Sequence, residues 1–288
     1  MSWANAIVQG ILLGGLYALF ATGLSLMFGV MRIVNLAQGD FAVLAAFAVY
    51  SLMSWSPLGL WASAAIVVVL FLGLGYVVQR GILQRSMAAG PLSTLLVTFG
   101  LATVIQNLLL QAYSADTRAL DAGSLVSASV RVSSQISVAY LSLITLGLAV
   151  VVLVGIQLFL SRSALGRMLR AASDDPEAAS LVGGDSRHIY GVATAIAFAT
   201  VAMAGVMFAT TSSFSPSAGP TRLIFAFEAV VIGGLGSLWG TLAGGMVLGV
   251  TQAVAAQIDP SLTLLAGHLV FLAVLAFRPQ GMIPARSV

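Results

Sequence analysis

Cysteine is absent from this 288-residue chain, and so is lysine. The first absence excludes disulfides, thiolate metal sites and a cysteine nucleophile, and it leaves the redox compartment unread. The second excludes a P-loop, whose lysine reaches the β- and γ-phosphates, and it excludes Schiff-base chemistry. If ATP drives this protein, another chain binds it. Charge is scarce too, at 7% of residues, against about 25% in an ordinary soluble domain. With nine acids and two histidines, His188 and His268, no ligand-spaced or acid–base cluster forms, which argues against a membrane-embedded enzyme.

What remains is apolar. Hydrophobic residues make up 59% of the chain and the mean hydropathy is +1.05. Several runs reach the roughly 20 apolar residues that a helix needs to cross about 30 Å of hydrocarbon, without the alternation of barrel strands. The expected fold is therefore all-α: a polytopic transmembrane helical bundle of about eight or nine segments, forming one domain over 1–288. The segments are read at 7–31, 36–54, 58–78, 92–112, 138–160, 189–211, 223–237, 238–256 and 262–277. No small-residue cleavage site follows the first, so it reads as a retained helix. The glycine-broken 223–237 stretch is short enough to be re-entrant. Trp55 and Trp61 suit a membrane face, and 113–137 reads as an exposed polar loop.

The arginines give an orientation. Nine of them, Arg32, Arg80, Arg85, Arg162, Arg167, Arg170, Arg187, Arg278 and Arg286, fall on one side, and Arg118, Arg131 and Arg222 on the other. The positive-inside rule makes the richer side cytoplasmic. Eight of the 21 charged residues crowd into 161–188. Within that island, Arg162, Arg167 and Arg170 read as the basic end of the preceding helix. Asp175 is placed to N-cap a further short helix, with Pro176 at its first position, Glu177 in its first turn and Gly183 or Gly184 at its end. So short a helix needs a surface to lie on. That surface is either its own bundle or a cytoplasmic partner.

The run GRMLRAASDDPEAASLVGGDSRHI resembles the cytoplasmic signature of ABC importer permeases of the branched-chain amino acid (LivH) type. GLYALFATGLSLMFGVMRIVNLAQGDF, VVIGGLGSLWGTLAGGMVLGV and FRPQGMI agree with it, so the resemblance covers nearly the whole length. It implies a cytoplasmic coupling helix that sits in a cleft of an ATPase, with Gly166, Arg167, Arg170, Asp174, Asp175, Pro176, Glu177, Ala178, Ala179 and Gly183 as the coupling residues. It also implies the partners: a second, LivM-like permease subunit, two ATPase subunits carrying ATP and Mg, and a periplasmic substrate-binding protein. No cofactor is then bound by this chain, and no nucleic acid. The location implied is the inner membrane.

Polar residues inside the apolar runs are the second constellation. A carboxylate at bilayer depth costs at least about 2.5 kcal/mol unless it faces protein or water, so Glu228 either lines a translocation path or ties two helices together. Asn35, Gln38 and Asp40 either line the path or cap a helix boundary. Gly233, Gly234 and Gly236, with Ser237, interrupt a helix within the membrane, as transporters do to expose backbone to a cavity. Gly236, Gly240 and Gly244, and Gly245 and Gly249, repeat every four residues, a close-packing signal. Gly10, Gly14 and Gly15 give a similar pattern near the start. Branched-chain or other small apolar amino acids suit a neutral path. Urea, short amides and aromatic acids are alternative cargoes, and an ion-coupled secondary transporter using Asp40 and Glu228 as a relay is the rival class.

Overall fold

In the computed structural model, residues 3–126, 128–133, 136–175 and 185–283 are described. Most of them are helical. The helices are α1 (Trp3–Met31), α2 (Gln38–Trp55), α3 (Leu60–Val78), α4 (Gln84–Ala88), α5 (Pro91–Tyr113), α6 (Tyr140–Arg162), α7 (Ala164–Asp174), α8 (Ser186–Thr211), α9 (Gly219–Gly233), α10 (Leu238–Ile258) and α11 (Leu262–Phe277). Among the described residues, six stretches are long and apolar enough to cross a membrane: α1, α3 continued through α4, α5, α6, α8 and α10; α11 is a shorter apolar helix. The chain is thus a multi-pass, all-helical membrane protein.

α1 and α8 are buried almost throughout and form the axis of the bundle, whereas α5 and α6 expose most of their surface. α10 lies along α1, and glycine decides how closely. A Cβ at Gly14 would stand 2.5 Å from Met246 Cα, and one at Gly10 the same distance from Val250 Cα. Gly245 and Gly249 answer from the α10 side. The early glycines are therefore the packing complement of the late ones, and the absence of a Cβ on both helices lets the backbones touch.

Two helices start inside the bundle. Arg32 takes a left-handed conformation (φ 54°) after the last turn of α1, and the chain doubles back. Gln38, the first residue of α2, donates from Nε2 to the Phe20 carbonyl at 2.8 Å. Phe20 lies about 16 Å up α1 from Met31 at 1.5 Å per residue. α9 has 15 residues, about 22 Å, too short for the hydrocarbon core. It begins where α2 begins, with Gly219 against Gly39 and Asp40. The expected 223–237 segment thus starts earlier and runs unbroken to Gly233; the break follows it, at Gly234 (φ 114°) and Gly236 (φ 79°).

Two further expectations need correction. The 113–137 stretch is not featureless, because Ser129–Ser133 and Ile136–Ala139 pair as an antiparallel hairpin, β1 and β2. Alternating Val, Arg, Ile and Ser residues supply the period-two pattern that a strand needs. Nor do Arg167 and Arg170 extend the preceding helix. Ser163 breaks it with an extended backbone and caps a new one, its Oγ accepting from Gly166 N at 2.8 Å.

Candidate functional site

The charged island begins with α7, and the two faces of this helix differ. Gly166, Leu169 and Ala172 are buried, while Arg167, Arg170 and Asp174 are exposed. Gly166 lies against the Phe159 carbonyl and Leu160 at the end of α6, where any side chain would collide with backbone. Ser173 Oγ donates to the Gly29 carbonyl in the last turns of α1. α7 is therefore clamped to two transmembrane helices and presents its charges outward. Asp175 closes it with an extended backbone, its N–H donating to the Ala171 carbonyl. Pro176, Glu177, Ala178, Ala179 and Gly183 lie outside the described residues.

The same clamp continues inward. Gly29, which receives Ser173, also faces Gly236 in the break between α9 and α10. Met282 and Ile283 donate backbone N–H groups to the Ile232 and Gly233 carbonyls, at 2.9 Å each. Gly281 sits on Gly234, and Gly233 packs on Gly240. Ser237 caps α10, its Oγ accepting from Gly240 N at 3.1 Å. The four residues expected to open a helix thus form a tight turn, sealed by the C-terminal segment at the arginine-rich end.

Asn35, Gln38 and Asp40 are all buried within the protein. Asn35 Oδ1 accepts from Ala37 N at 3.0 Å, which turns the chain into α2. Asp40 stands in the first turn of α2, and its carboxylate meets Gly219 in the first turn of α9. Two positive helix ends thus surround one buried acid, a favourable macrodipole arrangement. Asn35 Oδ1 thus serves the start of α2, while Asn35 Nδ2, which reaches Met27 Sδ at 4.0 Å, and Gln38 tie that start to α1.

Glu228 belongs to a larger polar group. It is 3% exposed, and its Oε1 pairs with His268 Nδ1 on α11. Tyr17 on α1 donates to Gln252 Oε1 on α10 at 2.5 Å and packs its ring on Phe225, one turn before Glu228. Arg222, two turns before Glu228, lays its guanidinium 4.0 Å from the Phe208 ring centroid. The sequence offers no spacing that joins residues 17, 222, 228, 252 and 268. His268 reaches across from α11 to α9 with a side chain still 44% exposed.

A further polar surface lies on α5. Gly100, Thr103, Asn107 and Gln111 recur every three or four residues on the exposed face of α5. Around the bundle α5 adjoins α2, α2 adjoins α9, and α9 adjoins α11, a run of neighbouring helices that carries both the stripe and His268. Helical periodicity applied to polar rather than apolar residues would have found it.

The family model for the branched-chain amino acid transport system permease component matches residues 6–277. The chain belongs to that permease family. It is 28% identical to the high-affinity branched-chain amino acid transport system permease protein BraD of Pseudomonas aeruginosa, over 98% of this chain and 95% of that one. With the permease protein LivH of the corresponding Escherichia coli K12 system it shares 24% identity, over 96% and 93%. PsaBC from Streptococcus pneumoniae in complex with Fab has a chain of the same fold, with a TM-score of 0.50 and 13% identity over 97% of this permease and 93% of that chain. In this permease, then, α7 and the α5–α9–α11 flank are the two surfaces on which a transport role can be built.

Proposed function

We propose that this permease is the membrane subunit of an ABC importer in the inner membrane, moving branched-chain or other small apolar amino acids released by a periplasmic binding protein. The observation that carries this reading is α7: a helix clamped to α1 and α6 by one face, presenting Arg167, Arg170 and Asp174 on the other. The arginine-rich end is cytoplasmic in this reading. α7 and the 175–183 segment after it form the element that sits in a cleft of one of the two ATPase subunits, and ATP and Mg are held by those subunits.

Movement of α7 would pass through Ser173 and Gly29 to Gly236, and so to the turn between α9 and α10, a rigid-body route between two packed states. α9 carries Glu228, which orients His268 on the α5–α9–α11 flank. Polar side chains exposed at membrane depth face protein or water rather than lipid. The path accordingly runs between this flank and a second permease subunit of the same family, lined by Thr103, Asn107, Gln111 and His268. The count of membrane segments is nine, with α2 and α9 as partial spans. The substrate class follows the names of BraD and LivH and the neutral side chains Thr103, Asn107 and Gln111.

The test is co-purification and uptake with the ATPase pair co-expressed. Replacing Arg167 and Arg170 by Glu should release the ATPase and abolish uptake while leaving the permease in the membrane. Uptake that persists without ATPase or binding protein would make this an ion-coupled carrier instead. Ligand screening of the binding protein assigns the cargo.

A further inference from the structure

Between α3, α6 and α8 lies an open apolar groove of about 400 Å³, lined by Leu72 of α3, Val152, Gly155 and Phe159 of α6, and Ile196 and Met203 of α8. Its lining is almost wholly carbon. Helical spacing continues each wall into a basic rim. Leu72 leads to Tyr76 and Arg80 at steps of four, Ile196 leads back to His188 by two steps of four, and Phe159 is followed by Arg162. Two steps of four span about 12 Å along each helix.

At that rim Arg80 donates from NH1 to Tyr76 Oη at 3.1 Å, and Tyr76 Oη pairs with His188 Nδ1 at 3.0 Å. The three side chains are thus locked together. Arg80 and His188 nevertheless stay exposed, and so do Arg85, Arg162 and Arg187. The acid beside them, Asp185, accepts the Arg187 backbone N–H at 3.0 Å as the cap of α8. Val77 and Ile82, both exposed, extend the apolar surface next to Arg80.

We propose that this groove is a binding site for an anionic phospholipid of the leaflet at the arginine-rich end, with its acyl chains along α6 and α8 and its phosphate on Arg80 and His188. Charge complementarity selects the occupant. A partner helix would need apolar contact along the groove but no anion at its end, whereas a phospholipid supplies both at this spacing. A basic residue near a membrane surface favours an anionic headgroup by roughly fivefold. The proposal does not depend on what the permease transports.

Native mass spectrometry of the full chain, equilibrated with phosphatidylglycerol or phosphatidylethanolamine of matched acyl chains, reads it directly. The expected result is a preference for the anionic lipid of at least about fivefold. Arg80→Gln with His188→Gln should bring the ratio near one, and Arg80→Lys should keep most of it. Gly155→Phe, which fills the groove, should weaken both lipids. Equal retention of the two lipids by the native chain, or an unchanged ratio in the double variant, overturns the site. A photo-crosslinking residue at Met203 tests the unaltered rim in whole membranes: a phospholipid adduct supports the proposal, and a protein adduct makes the groove a subunit interface and defeats it.

Discussion

α5 and α6 are exposed to the same degree, yet α5, in the α5–α9–α11 flank, carries Thr103, Asn107 and Gln111, while α6, in the α3–α6–α8 flank, walls a groove lined almost wholly by carbon. Exposure in a membrane protein therefore does not name the solvent; the polar atoms on the exposed face do. A lipid-facing helix has no use for a recurring amide, while a face against protein or water does.

The largest expected effect breaks or upholds that contrast directly. Val151 lies at the midpoint of α6 and is 67% exposed. Val151→Arg should cost about 2.5–3.5 kcal/mol in membrane insertion if lipid covers it. Asn107→Arg on α5 should insert almost as well as the native chain and block uptake. Quantifying membrane-integrated protein for the two variants decides it, since equal losses would mean that both flanks face lipid.

The glycine seam joins α1 to α10. Gly14→Val would press two methyl groups into the α10 backbone near Met246, at a cost of about 1–3 kcal/mol. Thermal unfolding in detergent should show it, with Gly14→Ala in between. A variant as stable as the native chain would mean that α1 and α10 are not held this closely.

The seam was half legible in the sequence. The every-fourth glycines of α10 announced close packing, and Gly10 and Gly14 gave the same spacing, but spacing within one helix says nothing about which other helix it meets. The apolar runs likewise located the helices, because hydrophobic length is a local property. The internal starts of α2 and α9 were not legible: they rest on the reversal at Arg32 and on the bond from Gln38 to Phe20, both long-range facts. For the same reason the sequence isolated Glu228 as costly but could not supply His268. Ser163 and Gly166 did carry a local capping signal for α7, and the run of arginines after them drew the reading toward one continuous basic helix end.

The Glu228–His268 pair sharpens the contrast from the polar side. His268→Ala leaves a buried carboxylate with no partner on either oxygen, since Oε2 already lacks one. The expected loss is about 1–2 kcal/mol, in the upper range for a polar contact between membrane helices. Glu228→Gln should restore most of that stability in the His268→Ala background. Should uptake also return there, His268 contributes only to packing and not to the polar face.

The smallest effect concerns the turn that delivers α11 to that flank. Asp259 Oδ1 accepts the Ser261 backbone N–H at 2.8 Å between α10 and α11. This bond holds the exposed carboxyl below its ordinary value, with the Ser261 side chain adding to the effect. The folded state therefore binds this proton less readily than the unfolded chain does. The resulting stability is present at pH values above the ordinary carboxylate range and is lost as pH falls through the depressed value. Asp259→Asn should accordingly lower the unfolding temperature slightly at neutral pH, and the gap to the native chain should close in acid. Because the turn holds only the start of α11, the variant should leave the polar flank and uptake intact. A large loss of uptake would mean that the register of α11, and with it the placing of His268, depends on this one capping bond.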